Sequence, residues 1–225
     1  IPPTLQSDAS QRMTKDIMNR AYITPKRIVT KYAGCKNNLI KDEHYLLERG
    51  NGQSEMNRKK CCIMTSTETE KASLLLDFGS ELHGGLKLVM GSSSRREPSL
   101  VRIRFGESVG EANSSTSNSE WKVGFSTDDH AKRDIIMEIP RDGMIEIGNT
   151  GFRFVRLDLL QNNATISLKE ISAILRYRDI PYLGSFECND QRLNKIWITG
   201  AYTVHLNMQE FLWDGIKRDR VVWLG

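Results

Sequence analysis

Long hydrophobic runs are missing from this chain of 225 residues, and no apolar stretch approaches the roughly 20 residues needed to cross a bilayer. No glycine-rich loop followed by Lys-Ser or Lys-Thr is present, which removes a phosphate-cradling nucleotide site. Histidine is scarce: His44, His83, His130 and His205 stand apart from one another and from any nucleophile motif, so neither a Ser/His/Asp nor a metal mechanism finds support. The four cysteines, Cys35, Cys61, Cys62 and Cys188, show no C-x-x-C spacing and no histidine cluster, which argues against a zinc or thioredoxin-type motif. All four read as reduced, mostly packing residues, with a single disulfide as the alternative if the protein is exported, and with the adjacent Cys61 and Cys62 on opposite faces of a strand. The opening Ile1-Pro2-Pro3-Thr4 carries neither an initiator Met nor a charged segment before an apolar one, so any export signal was removed or was never there. No cofactor or metal is expected.

What is present is an ordinary globular composition, with 39% hydrophobic and 27% charged residues. The net charge of +4 is uneven: residues 1–60 hold 12 Lys/Arg against 6 Asp/Glu. These charges are mixed with acids and carry no nucleic-acid motif, so they read as solvated surface rather than as a patch for nucleic acid. Period-two alternation dominates the middle of the chain, as in Val101-Arg102-Ile103-Arg104-Phe105, Met144-Ile145-Glu146-Ile147 and Arg153-Phe154-Val155-Arg156-Leu157. Leu74–Phe78, Leu86–Met90 and Ile135–Ile139 are more continuously apolar and predict strands covered on both faces. Gly84-Gly85, Gly91–Ser94, Arg141-Asp142-Gly143 and Gly148–Gly151 read as turns between them. Many short strands separated by turns, with little helical periodicity, predict a mainly β chain forming an antiparallel β-sandwich or jelly roll.

Three departures from the strand pattern bear on function. Gly110–Ser126 is rich in Ser, Asn and Glu and reads as a long loop, whose Trp121 and Phe125 either pin it to the sheet or offer a sugar-stacking platform. His83-Gly84-Gly85 reads as a tight bend, or as a ligand-facing turn. After Asp179–Tyr182 the register changes, and Leu193, Ile196, Trp197, Ala201, Val204, Met208 and Phe211 recur at helical spacing, with Asn189 or Asp190 as the N-cap. That apolar stripe has little remaining sequence to bury it, which predicts the start of a helical domain. The expected organisation is 1–65 as strands and loops joining or leading into the sandwich, 66–180 as the sandwich, and 181–225 as a linker strand followed by the first helix of an α/α barrel domain.

Five segments appear in an order that resembles the α-L-rhamnosidases of glycoside hydrolase family 78. They are Leu76–Gly85, Arg104–Ser108, Gly151–Arg156, Gly184–Asp190 with Leu193–Trp197, and Asp214–Arg220 with Trp223-Leu224-Gly225. The resemblance covers roughly residues 70–225. It implies bacterial β-sandwich domains leading into a barrel of paired helices that removes terminal α-L-rhamnose with inversion. It also implies a carbohydrate partner, with no nucleic acid, and favours an exported protein over a cytoplasmic one. Carried over position by position, Asp214 resembles the motif's first sugar-binding carboxylate and Asp219 the acidic position associated with the general acid. Arg218 would bind substrate beside it, and Trp223 would supply a stacking wall. Many members carry Glu where this chain has Asp219.

Inverting glycoside hydrolysis needs a protonated carboxyl for the leaving oxygen and a second carboxylate, about 6.5–9.5 Å away, to activate water. Arg218 and Arg220 on either side of Asp219 favour its ionised form, which suits hydroxyl binding as much as proton donation. The resemblance places the partner carboxylate outside these residues, so the chain alone is expected to be inactive. The alternatives are a non-catalytic carbohydrate-binding or structural sandwich module, and a protein-interaction module using the basic first 60 residues.

Overall fold

The computed structural model describes residues 18–32, 39–55, 59–115, 133–217 and 220–222. Cys35, Trp121, Phe125, His130, Arg218, Asp219 and Trp223 lie outside the described residues. The strands are β1 (Met18–Ile23), β2 (Arg27–Tyr32), β3 (Ile40–Lys41), β4 (Cys62–Ser66), β5 (Ser73–Ser93), β6 (Ser99–Gly106), β7 (Asp134–Ile139), β8 (Gly143–Leu159) and β9 (Ala164–Arg178). A 3₁₀ turn covers Glu43–Leu47, a short helix α1 Val109–Asn113, and a longer helix α2 Gln191–Asn207. Among the described residues the chain is thus mainly β with one long helix late, and every strand pairing is antiparallel.

The hydrogen-bonded path runs β3-β4-β9-β5-β8-β6-β7, with β1 also on β9 and β2 also on β5. Three strands are long enough to serve two sets of neighbours. The first half of β5 lies between β2 and β8, and its second half lies between β8 and β9. Leu74, Leu76 and Phe78 from the first half share one buried cluster with Leu86, Leu88 and Met90 from the second, joined by Val101, Ile103, Phe105, Ile166 and Leu168. Leu39, Ile40 and Leu46 join the same cluster, and both halves of β5 bury their apolar residues in it, in keeping with the sandwich the alternation predicted.

Several sequence expectations are corrected here. Leu74–Phe78 and Leu86–Met90 are one strand, not two. Gly84-Gly85 is not a turn: Gly84 pairs with Thr150 of β8 and Leu175 of β9 at once. Gly148–Gly151 likewise lies within β8, where the ladder shifts register, rather than in a turn. In both places glycine permits close approach of neighbouring backbones, and sequence alone does not separate that from a turn. Ile135–Ile139 is not covered on both faces, since Ile136 is 59% exposed. The expected loop from Gly110 begins instead as α1, because Ser108 accepts the Glu111 N–H at its start while the Glu111 carboxylate accepts the Glu107 N–H, in the manner of a capping box. Cys61 and Cys62 are buried thiols outside any disulfide, and burial pushes the Cys62 thiol up to about 12.

Where β5 leaves its first half, Asp77 is buried and ties three elements. It accepts from Arg153 Nε at 2.8 Å, from Arg27 Nε at 3.0 Å and from the Gly79 N–H at 2.8 Å. The Arg153 hydrogen bond leads in holding its carboxyl well below the usual range, helped by Gly79 and Arg27 and opposed by burial. A depressed folded pKa stabilises above the unfolded value of 3.8 and ceases to as pH falls through the folded one. Asp77→Asn is therefore expected to cost about 1–2 kcal/mol at neutral pH, discounted because both arginines reach solvent, and the cost should shrink below about pH 4. Urea midpoints of both proteins at pH 7 and pH 3 check this; a difference that does not change with pH would contradict it.

Candidate functional site

Between Asp77 and Leu82 the β5 ladder to β8 breaks: Asp77 faces Phe154, and the next pair is Leu82 with Phe152. Phe78 to Glu81 therefore bulge against Arg153 alone, and Gly79 takes a φ of 92° to allow it. This bulge forms one wall of a cleft of about 1310 Å³. Ile23, Phe78, Leu82 and Leu175 supply its apolar floor, and Ile198, Tyr202, Thr203 and Leu206 of α2 its opposite wall. Glu81, Glu107, Asp214 and Lys217 line it as well.

Helix α2 is placed by polar bonds that the sequence pattern did not reveal. Asp190 caps it, accepting the Arg192 N–H at 2.8 Å, as the sequence allowed. Tyr202 O–H donates to the Glu81 carbonyl at 2.6 Å, and Gln209 Nε2 donates to the Arg176 carbonyl at 3.2 Å. The His205 ring bridges the Arg178 carbonyl at 2.7 Å and the Tyr182 hydroxyl at 2.9 Å. The face on the sandwich is thus Tyr202, His205, Leu206 and Gln209, whereas the apolar stripe read from sequence points away. Leu193 is 46% exposed, Ile196 58%, Val204 54% and Phe211 66%.

The motif segment leaves α2 through a short reversal. Asp214 lines the cleft and is exposed, but one of its oxygens is already engaged: Oδ1 accepts the Val221 N–H at 2.9 Å while its own N–H donates to the Val221 carbonyl. Its second carboxylate oxygen is the one offered for a ligand. Arg220, which the sequence set beside Asp219, has a structural engagement: its guanidinium lies 5.0 Å over the Trp213 ring and donates to the Asn149 carbonyl. Trp213 in turn stands edge-on to His83 at 5.2 Å. His83 is fully buried in β5; the Ile216 backbone approaches its ring, but neither nitrogen makes a hydrogen bond of good geometry. Burial, with Arg220 and Arg176 nearby, pulls its pKa down to about 3, so it stays neutral and acts as packing rather than as a base.

Residues that the sequence reading did not single out carry much of the cleft's electrostatics. Lys217 pairs with Glu107 at 3.3 Å and also with Glu111. Glu81 has its carboxyl pushed up to about 8, by burial first and then by Glu107 and Glu111, with Lys217 and Arg153 opposing. Tyr202, beside it, is raised to about 12, chiefly by burial. Glu81 stands within the Leu76–Gly85 segment, but its surroundings come from β6, α1, β8, α2 and the motif segment, and no local spacing encodes them. Among the described residues no group of three or more His, Cys, Asp or Glu is placed to hold a metal ion, and no helix is long and apolar enough to cross a membrane.

No family model matches the chain, and no curated protein does. Solved structures do. The chain is similar to a rhamnosidase from Klebsiella oxytoca with rhamnose bound, at 18% identity and a TM-score of 0.65, over 92% of this chain and 39% of that one. It is also similar to the GH78 family rhamnosidase of Bacillus sp. GL1, at 20% identity and a TM-score of 0.56, over 74% of this chain and 16% of that one. The fold is shared with rhamnosidases. At these identities the likeness concerns the fold alone, and the chain spans well under half the length of either relative.

Proposed function

We propose that these residues belong to a glycoside hydrolase of the α-L-rhamnosidase type, acting by inversion on terminal α-L-rhamnosides, and that they form its sandwich and the start of its helical catalytic domain. The observation that carries the reading is a coincidence of two independent ones: five ordered segments resemble that family, and the backbone is similar to a rhamnosidase over 92% of the chain. The uncovered stripe of α2 supports the division at about residue 181, because an apolar face of that size suits burial against further helices. In this reading residues 1–65 join the 66–180 sandwich, and 181–225 open an α/α barrel.

Asp214 offers its free carboxylate oxygen to sugar hydroxyls, with Lys217 and the exposed rim of the cleft nearby. Arg218 and Trp223 complete the subsite, and Asp219 serves as general acid to a base located elsewhere in the intact protein. The 225-residue chain should not turn over an aryl α-L-rhamnoside, while the intact protein should release β-L-rhamnose as first product. Asp219→Asn in the intact protein should lower kcat at least 10²-fold, on the usual scale of acid–base catalysis. A retained configuration, or full rate in that variant, would overturn the assignment.

A second reading, a non-catalytic carbohydrate-binding module, is favoured by the cleft itself, which these residues form among themselves with Asp214 on its rim. Calorimetry of the 225-residue chain with millimolar rhamnose tests the module reading: binding heat abolished by Asp214→Ala supports a sugar site within the chain, and no heat leaves it a structural role only.

A further inference from the structure

The motif segment meets the sandwich through Trp213 on His83, Ile216 over Gly151, Lys217 on Glu107 and Glu111, and Arg220 on the Asn149 carbonyl. Ile216 is 8% exposed and sits over Gly151 of β8, where an added Cβ would come within 2.7 Å of Ile216 Cγ1 and 3.4 Å of Glu81 Oε1. One residue on, the Lys217 ammonium is held by Glu107 and Glu111. Glu81 stands between these two anchors. Its Oε1 is buried and has no hydrogen-bond partner, while the neighbouring Tyr202 hydroxyl is spent on the Glu81 backbone carbonyl rather than on its carboxyl. The nearby Arg153 is committed to Asp77 through Nε and Nη2.

We infer that Glu81 is a positioning residue whose protonation governs whether the Asp214–Lys217 segment stays seated on the sandwich. The inference rests on the reading above only in taking Asp214 as the ligand-binding carboxylate. The groups facing Glu81 are Glu107 beyond β6, Glu111 of α1, Arg153 of β8, Tyr202 of α2 and Lys217 of the segment itself, with Lys26 also lining the cleft. As a neutral acid, Glu81 can remain against Ile216 and Gly151 without a donor. As a carboxylate it would place charge on the buried Oε1, which has no hydrogen-bond partner, and that is disfavoured. It would also be a third anion competing for Lys217, already shared by Glu107 and Glu111. Relief comes by admitting water to Oε1, and Ile216, which shares the space over Gly151 with it, is the side chain that lifts to let water in.

The sign is that of an acid with a raised folded pKa. The folded chain keeps its proton from the unfolded value of 4.5 up to about 8, so the seat weakens as pH rises through that interval and is lost above it. Because Asp214 lies two residues from Ile216 and closes its own loop on Val221, the displacement carries the candidate sugar carboxylate with it.

The test is methyl NMR on the full 225-residue chain with labelled isoleucine, the Ile216 resonance being assigned by its disappearance in Ile216→Val. Between pH 6 and 9 the Ile216 methyl should titrate with a midpoint near 8; the midpoint should vanish in Glu81→Gln and return, displaced, in Glu81→Asp. A methyl that stays flat over that range, or that titrates unchanged in Glu81→Gln, overturns the inference. Should Glu81→Gln fail to fold, the carboxyl carbon of Glu81 in the unmodified chain decides directly, and a midpoint below 6 is equally fatal. A chain that binds no sugar but shows the titration retains the seat and loses only the sugar site within the chain.

Discussion

Gly84→Ala is expected to leave the chain unable to hold the sandwich, with a loss of at least about 4 kcal/mol, a size reached by few single substitutions. Gly84 has a φ of 147°, and a Cβ there would lie 1.9 Å from the Ile174 carbonyl oxygen. The obstacle is backbone, and that backbone belongs to β9, already hydrogen-bonded to β5 on this side while β8 holds the other. Neither neighbour can retreat without breaking a ladder. Gly85 repeats the constraint, its Cβ position lying 2.5 Å from the Ile147 carbonyl oxygen. Gly143 provides the control: its φ of 93° is also unfavourable for alanine, but nothing lies within 4 Å of an added Cβ. Gly143→Ala should therefore cost only about 1 kcal/mol, the backbone penalty by itself. Thermal melts followed by far-ultraviolet circular dichroism compare the two. Equal midpoints would show that close approach at Gly84 does not constrain the sandwich.

Asp158→Ala should cost about 3–5 kcal/mol, the usual consequence of stranding one partner of a buried ion pair. Asp158 accepts from Arg104 Nη2 at 2.7 Å and from Arg156 Nε at 2.9 Å, and both Asp158 and Arg104 are only 6% exposed. Burial lowers the Arg104 pKa and Asp158 opposes that, so removing the carboxylate leaves the desolvation uncompensated. The guanidinium would keep its bond to the Asn113 carbonyl at 2.9 Å, which is too little for a charge. Replacing both residues with apolar ones, as in Arg104→Met with Asp158→Leu, should recover most of the loss, because no charge is then buried alone. Urea titration of the three variants would decide; a single variant within about 1 kcal/mol of the parent would show that Arg104 finds other solvation.

The sandwich was legible because half-buried strands alternate, and Val101–Phe105 shows why the reading stayed partial. Its apolar residues face the core as expected, but Arg104 on the opposite side is buried too, against an acid from β8 that no local pattern announces. Glycine was misread for a related reason. A Gly-Gly pair marks a place where a side chain would collide, and whether it collides with its own turn or with a strand far away in sequence is a tertiary fact. In α2 the apolar stripe was visible at its 3.6-residue period. The face that packs on the sandwich was not, since Tyr202 and His205, with Gln209 just past the helix, spend their polar atoms on carbonyls of β5 and β9 or on residues beside them. Asp214 was found through its motif and does line the cleft; Glu81 was passed over because its character comes from Gly151, Glu107, Lys217 and Ile216 meeting around it.

The position of β9 has a consequence for the order in which the molecule can be made. Met18 at the start of β1 lies opposite Arg178, Cys62 of β4 lies opposite Leu168, and the second half of β5 has β9 along its edge. A chain emerging from the ribosome therefore holds β1, β4 and half of β5 without their permanent partner until residues 164–178 have been synthesised. Pairings so distant in sequence close slowly, commonly in milliseconds to seconds. Throughout elongation those strand edges stay open to wrong partners. A released chain ending before Ala164 should clump with its neighbours, and a released chain ending just past Arg178 should already be resistant to protease.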